Sequence, residues 1–141
     1  MKLLEGDRAL VTGTGNGIGK GIAEALEQEG ATVLRADLSG SDFDSDLSSV
    51  DGARRLAEEA IRRLGSVSIF VHSASPRRQE RQTVLEATEA EWREMLAVNL
   101  DAAFVLCQFF GKHMKEKGVR GRMLLTTSLH AANSSDLGSD R

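Results

Sequence analysis

The sequence predicts an α/β fold: a parallel sheet with helices wound over both faces. Two observations carry that expectation. Short apolar strands alternate with amphipathic helices along the chain, and a glycine-rich run, T-G-T-G-N-G-I-G at Thr12–Gly19, directly follows the apolar Ala9-Leu10-Val11. A third, weaker one is size. The 141 residues are 40% hydrophobic and 28% charged, which suits one domain able to bury roughly 68% of its unfolded surface.

Ala9–Thr12 reads as a buried strand, followed by a helix whose apolar residues Ile18, Ile22, Ala25 and Leu26 share one face and which Gly30 terminates. Residues 32–36 form a second strand. Ser39–Ser49 is a polar connection broken only by Phe43 and Leu47. Ala53, Leu56, Ala57, Ala60, Ile61 and Leu64 make a continuous helical stripe, stopped by Gly65, and residues 67–71 read as the next strand. Thr88-Glu89-Ala90-Glu91 has the form of a capping box. The helix it opens is expected to run to about Lys115 and to pack through Trp92, Met95, Leu96, Asn99, Leu100, Ala103, Phe104 and Cys107. Residues 123–127 form the last strand, and 134–141 read as a polar, turn-rich tail.

Composition narrows the function classes. Lys and Arg number 18 against 21 Asp and Glu, with no basic stripe, so nucleic acid is not an expected partner. No uninterrupted apolar run approaches the roughly 18 residues that cross a bilayer, and the first residues lack a signal-peptide core, so no membrane is expected and the cytoplasm is the expected location. The single cysteine, Cys107, permits no internal disulfide and no paired-cysteine metal site; it reads as an inert thiol among apolar helix positions.

The chemistry concentrates around the glycine loop. Gly13 and Gly15 permit backbone angles that side chains resist, Gly17 removes a Cβ where a pyrophosphate must approach, and Gly19 lets helix pack on strand. The following helix then points its unpaired N–H groups and the positive end of its dipole at the anion. Asp37 ends the second strand 24 residues after Gly13, close to the roughly 20-residue offset at which a carboxylate meets the adenosine ribose hydroxyls. A carboxylate there accepts from both hydroxyls of NAD and repels the 2′-phosphate of NADP. NAD is therefore the expected cofactor and NADP the lesser alternative, kept open by Arg35 on the same strand face.

With these residues in view, the sequence resembles the short-chain dehydrogenases/reductases over Leu3 to about Ala132. The family's T-G-x-x-x-G-x-G element matches Thr12, Gly13, Gly17 and Gly19, with Asn16 and Ile18 inside it. Its adenine-holding Asp-Leu pair is similar to Asp46-Leu47. Its Asn-Asn-Ala-Gly motif is degraded to His72-Ser73-Ala74-Ser75, where Ala74 alone is unchanged. The resemblance implies a Rossmann-type sheet of order 3-2-1-4-5 in residues 1–133 and cofactor contacts from Ser73, Ala74 and Ser75. It also implies catalytic roles for Ser128, as hydrogen-bond donor to the substrate oxygen, and for helix residue Asn99. The implied reaction is hydride transfer between NAD(P) and a small-molecule alcohol or carbonyl, in a protein that forms homo-oligomers when full length.

The family's Tyr-x-x-x-Lys pair is due about a dozen residues beyond Ser128, yet the sequence has no tyrosine. Arg141 falls near that position, but a guanidinium does not titrate in proteins. The chain therefore reads as a cofactor-binding portion cut short after the fifth strand and inactive alone; a non-catalytic dinucleotide-binding or interaction module is the alternative. Ser128, His130 and Asp136 do not make a hydrolase triad, because the serine lacks the glycines of a nucleophile elbow. Asp42, Asp44 and Asp46 lack the glycine and terminal glutamate of a calcium loop.

Overall fold

Residues Ala9, Leu10, Val11 and Thr12 are almost completely buried, and the sheet is built outward from them. They belong to β1 (Arg8–Thr12), which pairs in parallel with β2 (Thr32–Asp37) on one side and β4 (Ile69–His72) on the other, Leu10 lying opposite both Leu34 and Phe70. β3 (Phe43–Asp44) extends the sheet beyond β2, and β5 (Arg122–Leu125) beyond β4. The order is β3-β2-β1-β4-β5, the expected doubly wound α/β arrangement. The computed structural model describes residues 1–76 and 83–128; the expected tail, 134–141, lies outside the described residues.

Alternation along the strands feeds two separate cores. Ala9, Val11, Ile69 and Val71 face α1 (Gly17–Gln28) and pack with Ala23, Ile22 and Leu26. Leu10, Leu34 and Phe70 face the other way, onto α2 (Val50–Leu64) and α4 (Ala102–Lys117), in a larger cluster with Leu56, Leu106 and Phe110. Within it the Phe70 and Phe110 rings lie 5.2 Å apart at 41°, and Phe109 meets Phe110 edge-on at 5.5 Å. On α1 the inward residues are Gly19, Ile22, Ala23 and Leu26. Ile18 and Ala25, expected in that stripe, are exposed.

β3 was hidden from the periodicity because it has only two residues, too few to show a pattern. Tertiary contacts hold it: Phe43 pairs with Ala36 and lies beneath the Arg63 guanidinium of α2, 5.3 Å from the ring centre, while Arg63 Nη1 donates to the Asp42 carbonyl at 2.7 Å. The observed ladders also begin and end differently from the apolar runs. Val67 is buried but precedes β4, and Thr126 and Thr127 lie past β5.

The long helix departs most from expectation. It begins as predicted, with Thr88 and Glu91 closing a capping box on α3 (Glu89–Leu96), but a π-helical turn at Ala97–Asp101 separates α3 from α4. Its buried residues are Val98, Ala102, Ala103, Leu106, Phe110 and Met114; Trp92 is 61% exposed, Leu100 61% and Phe104 64%. The expected inward face is thus largely turned outward. Residues 97–110 are apolar on nearly every side, so the period there does not select a face, and the extra residue in the π turn rotates everything beyond it. By length and composition alone Glu89–Lys117 would also pass for a membrane span, although it contains Asp101. Here one side of it packs across the sheet and against α2. Cys107 is partly buried on this helix, and burial pushes its thiol pKa up.

All four residues of β5 are exposed, Met123, Leu124 and Leu125 by about half. The larger core is the principal source of stability. Phe110→Ala, at a site with no exposure, is expected to cost about 3–5 kcal/mol, read as a lowered urea midpoint.

Candidate functional site

The carboxyl ends of β1, β2 and β4 open onto a cavity of about 890 Å³. This is where an open parallel sheet places a ligand, since the strand order reverses at β1. Gly13, Gly15, Asn16, Ile18 and Gly19 form one wall, Asp37, Asp46 and Leu47 a second, and Ser73, Ala74 and Ser75 a third. Thr12, Gly17, Asn99 and Ser128 are not in these walls.

Gly13 shows why the loop needs glycine. Its φ is +74°, and a Cβ added there would stand 2.6 Å from both the Ala74 nitrogen and the Ser73 carbonyl oxygen. A Cβ on Gly19 would strike the Gly13 carbonyl, so that position serves the packing of α1 on the loop. Gly17, with φ +57°, starts α1, and nothing lies within 4 Å of its missing Cβ. That open space, above the start of the helix, is what an incoming pyrophosphate requires.

The helix starts differ in a way that suits an anion at α1. α2 is capped by Ser49, which accepts from the Gly52 N–H at 3.0 Å, and α3 by its capping box; both carry acidic residues in the first turn. At α1, Asn16 makes no side-chain capping bond and the first turn has no acid. Its N-terminal N–H groups and positive dipole end are left to be satisfied from outside the helix.

Asp37 lies where the loop meets β2. Its Oδ2 accepts from the Gly15 N–H and its Oδ1 from the Leu38 N–H, both at 2.7 Å. An ionised carboxylate has about four acceptor positions, so these two bonds fix its orientation and leave capacity for two ligand hydroxyls. Asp46 Oδ1 accepts from the Ser48 N–H at 2.9 Å, and the bonds to Ser48 hold its carboxyl below the usual range. This bend brings buried Leu47 to the wall. It also packs the Asp46 carbonyl against Gly52, where a Cβ has no room.

Thr12, expected to touch the cofactor, instead lies beneath the cavity. The Ser73 and Ala74 N–H groups donate to its Oγ1 at 3.1 and 3.2 Å, and His72 Nδ1 is 3.0 Å from the same oxygen. His72 Nε2 is 2.8 Å from the Val98 carbonyl, which can only accept, so Nε2 carries the proton. Nδ1 is then an acceptor, and the Thr12 hydroxyl donates to it. The chain from Ser73 and Ala74 through Thr12 and His72 to Val98 is fully satisfied with His72 neutral, and burial lowers the His72 pKa.

Asn99 lies in the π turn next to Val98, exposed, with Nδ2 donating to Met95 Sδ at 3.8 Å. Ser128 is exposed three residues past β5, on the side of the sheet to which the strands point. Reading by motif missed Leu38, Ser39, Pro76, Glu94, Val98 and Thr126, which also line the cavity. Leu38, Ser39 and Thr126 were recoverable from the rule that strand carboxyl ends form such sites. Glu94 and Val98 had no local signal, because they reach the cavity from a helix distant in sequence.

Comparison with known proteins agrees with this geometry. The short chain dehydrogenase family profile matches residues 7–139. The chain belongs to the short chain dehydrogenase family. It is 35% identical over 127 residues to a probable galactose dehydrogenase of Rhizobium meliloti, covering 77% of this chain and 49% of that protein. It is 33% identical to a D-threitol dehydrogenase of Mycolicibacterium smegmatis, covering 82% and 50%. A crystal structure of a putative NAD(P)-dependent gluconate 5-dehydrogenase from Beutenbergia cavernae, with NADP bound at low occupancy, matches with a TM-score of 0.81 and 32% identity over 94% of this chain and 58% of that one. The chain thus spans about half the length of the curated relatives it matches.

His72 gives the site a pH signature. A lowered folded-state pKa means that the unfolded chain binds the proton more readily. This contribution is therefore complete above the unfolded value of about 6.5 and is lost as pH falls from there through the folded value. Urea titrations across this window are expected to show that part of the slope in the unmodified chain and not in His72→Asn.

Proposed function

We propose that these residues are the cofactor-binding half of an oxidoreductase that uses NAD in preference to NADP and interconverts an alcohol and a carbonyl. The observation that carries the reading is Asp37. Its carboxylate is fixed by two backbone N–H bonds at the edge of the glycine loop, where it offers acceptors to ribose hydroxyls and repulsion to a 2′-phosphate.

In this reading the pyrophosphate lies against the start of α1 over Gly17, the adenosine ribose against Asp37, and the adenine between Leu38 and the Asp46-Leu47 bend. The 73–75 turn, held from below by Thr12, borders the nicotinamide end. The bound cofactor supplies or accepts the hydride. Ser128 donates a hydrogen bond to the substrate oxygen, and Asn99 acts from the π turn beside the crevice. Proton exchange with that oxygen needs a titrating group, and the chain has no tyrosine to provide the family's phenol. Cofactor binding is thus assigned to these residues and turnover to the longer protein, where an oligomer is expected to form.

Calorimetric titration is expected to show NAD⁺ bound more tightly than NADP⁺, with Asp37→Ala narrowing the difference; equal affinities in the unmodified chain would refute the role of Asp37. Purified 141-residue chain is expected to give no reduction of ketones by NADH above the buffer rate. Turnover that co-purifies with the chain through two different columns would sink the claim that it lacks its proton donor.

A further inference from the structure

A second cavity, of about 350 Å³, adjoins the crevice at Gly15 and is walled by Thr14, Gly15, Lys20, Arg35, Ser41 and Asp42. Gly15 belongs to both walls, and its N–H is the group that Asp37 binds, so the cavity opens beside the expected place of the adenosine ribose. Two cations and a serine hydroxyl are a donor set that suits a phosphate dianion. Taken by themselves they describe a seat for the 2′-phosphate of NADP, against the preference read from Asp37.

The carboxylates resolve this conflict. Arg35 presents its guanidinium fork to Glu27 on α1, Nε donating to Oε1 at 3.0 Å and Nη2 to Oε2 at 2.7 Å. The Arg35 backbone N–H donates to Asp42 Oδ2 at 2.9 Å, and Lys20 Nζ lies 3.8 Å from Glu24 Oε1. Lys20, Glu24 and Glu27 follow one another along one face of α1, over the strand face that carries Arg35 and Asp37. Three carboxylates, Glu24, Glu27 and Asp42, therefore lie about the two cations. The pairing between Arg35 and Glu27 is mutual, since each holds the other in its charged form.

We infer that Glu27 is a specificity-determining residue: by taking the Nε–Nη2 edge of Arg35 it occupies a bidentate fork that the second cavity would otherwise offer a phosphate, and so helps to exclude a 2′-phosphorylated dinucleotide. The inference rests on the proposed placement of the cofactor, but it assigns a role distinct from that of Asp37. Asp37 repels the phosphate directly and binds the ribose. Glu27 acts through Arg35 as a positioning residue, so removing Asp37 alone leaves Arg35 engaged.

Calorimetry with NAD⁺ and NADP⁺ on the 141-residue chain tests this. Glu27→Gln keeps the shape and removes the charge. It is expected to tighten NADP⁺ by about tenfold, the scale of one added charge-assisted phosphate contact, while NAD⁺ affinity stays within about twofold. Glu27→Ala should move NADP⁺ in the same direction, and Glu27→Gln combined with Arg35→Gln should lose the gain; the thermal melt of each variant identifies misfolding. Unchanged NADP⁺ affinity in both folded Glu27 variants, with Asp37→Ala still narrowing the preference, overturns the role of Glu27 and leaves the cofactor reading standing. A gain that persists without Arg35 also overturns it. Equal binding of the two dinucleotides by the unmodified chain, or binding of neither, overturns both readings.

Discussion

The close approach of the Gly13 backbone to the Ser73-Ala74 backbone is the constraint from which the site follows. Two turns that end adjacent strands can meet at this distance only if one lacks a side chain and the facing polar groups are paired. Gly13 meets the first condition through its missing Cβ and positive φ. Thr12 meets the second, by accepting both N–H groups of the opposing turn on one hydroxyl oxygen. A residue at position 12 without that oxygen would leave two partly buried donors unpaired side by side.

This junction reaches into the helical layer through His72. The neutral imidazole passes the Thr12 hydroxyl's bond on to the Val98 carbonyl inside the π turn. A side chain that bonds a helix carbonyl is a recognised companion of local departure from α geometry, and here it falls beside Asn99. Glycine loop, turn and helix are thereby set relative to one another by one buried chain of hydrogen bonds with every proton accounted for. Among the described residues no buried side-chain N or O atom lacks a partner.

Much of this is legible in the sequence. The glycine spacing, the strand-end acid Asp37 and the stripe of α2 each follow from a local rule: φ sterics, strand-end geometry and helical period. The misplaced parts were those without a local rule. β3 is too short to have a period and depends on Arg63 from another element. The inward face beyond α3 differs from the expected one because residues 97–110, apolar but for a few positions, can bury any side. Thr12 matched a motif correctly, yet its hydroxyl turns down to the 73–74 turn rather than into the cavity. Arg35 kept NADP open in the sequence because its partner, Glu27, lies on the preceding helix rather than on its own strand.

The sequence by itself determined the order of the main strands and helices, the place of the glycine loop and the acid, Asp37, that ends the second strand, because each is set by residues within one turn or strand of one another. The tertiary structure decided which groups are free to act. It used Thr12 and His72 internally, occupied Arg35 with Glu27, left the start of α1 without a side-chain cap, and turned the helix so that Val98 rather than Trp92 is buried. Those outcomes depend on pairings across 8 to 62 residues, where burial and charge choose among partners that local spacing leaves equivalent.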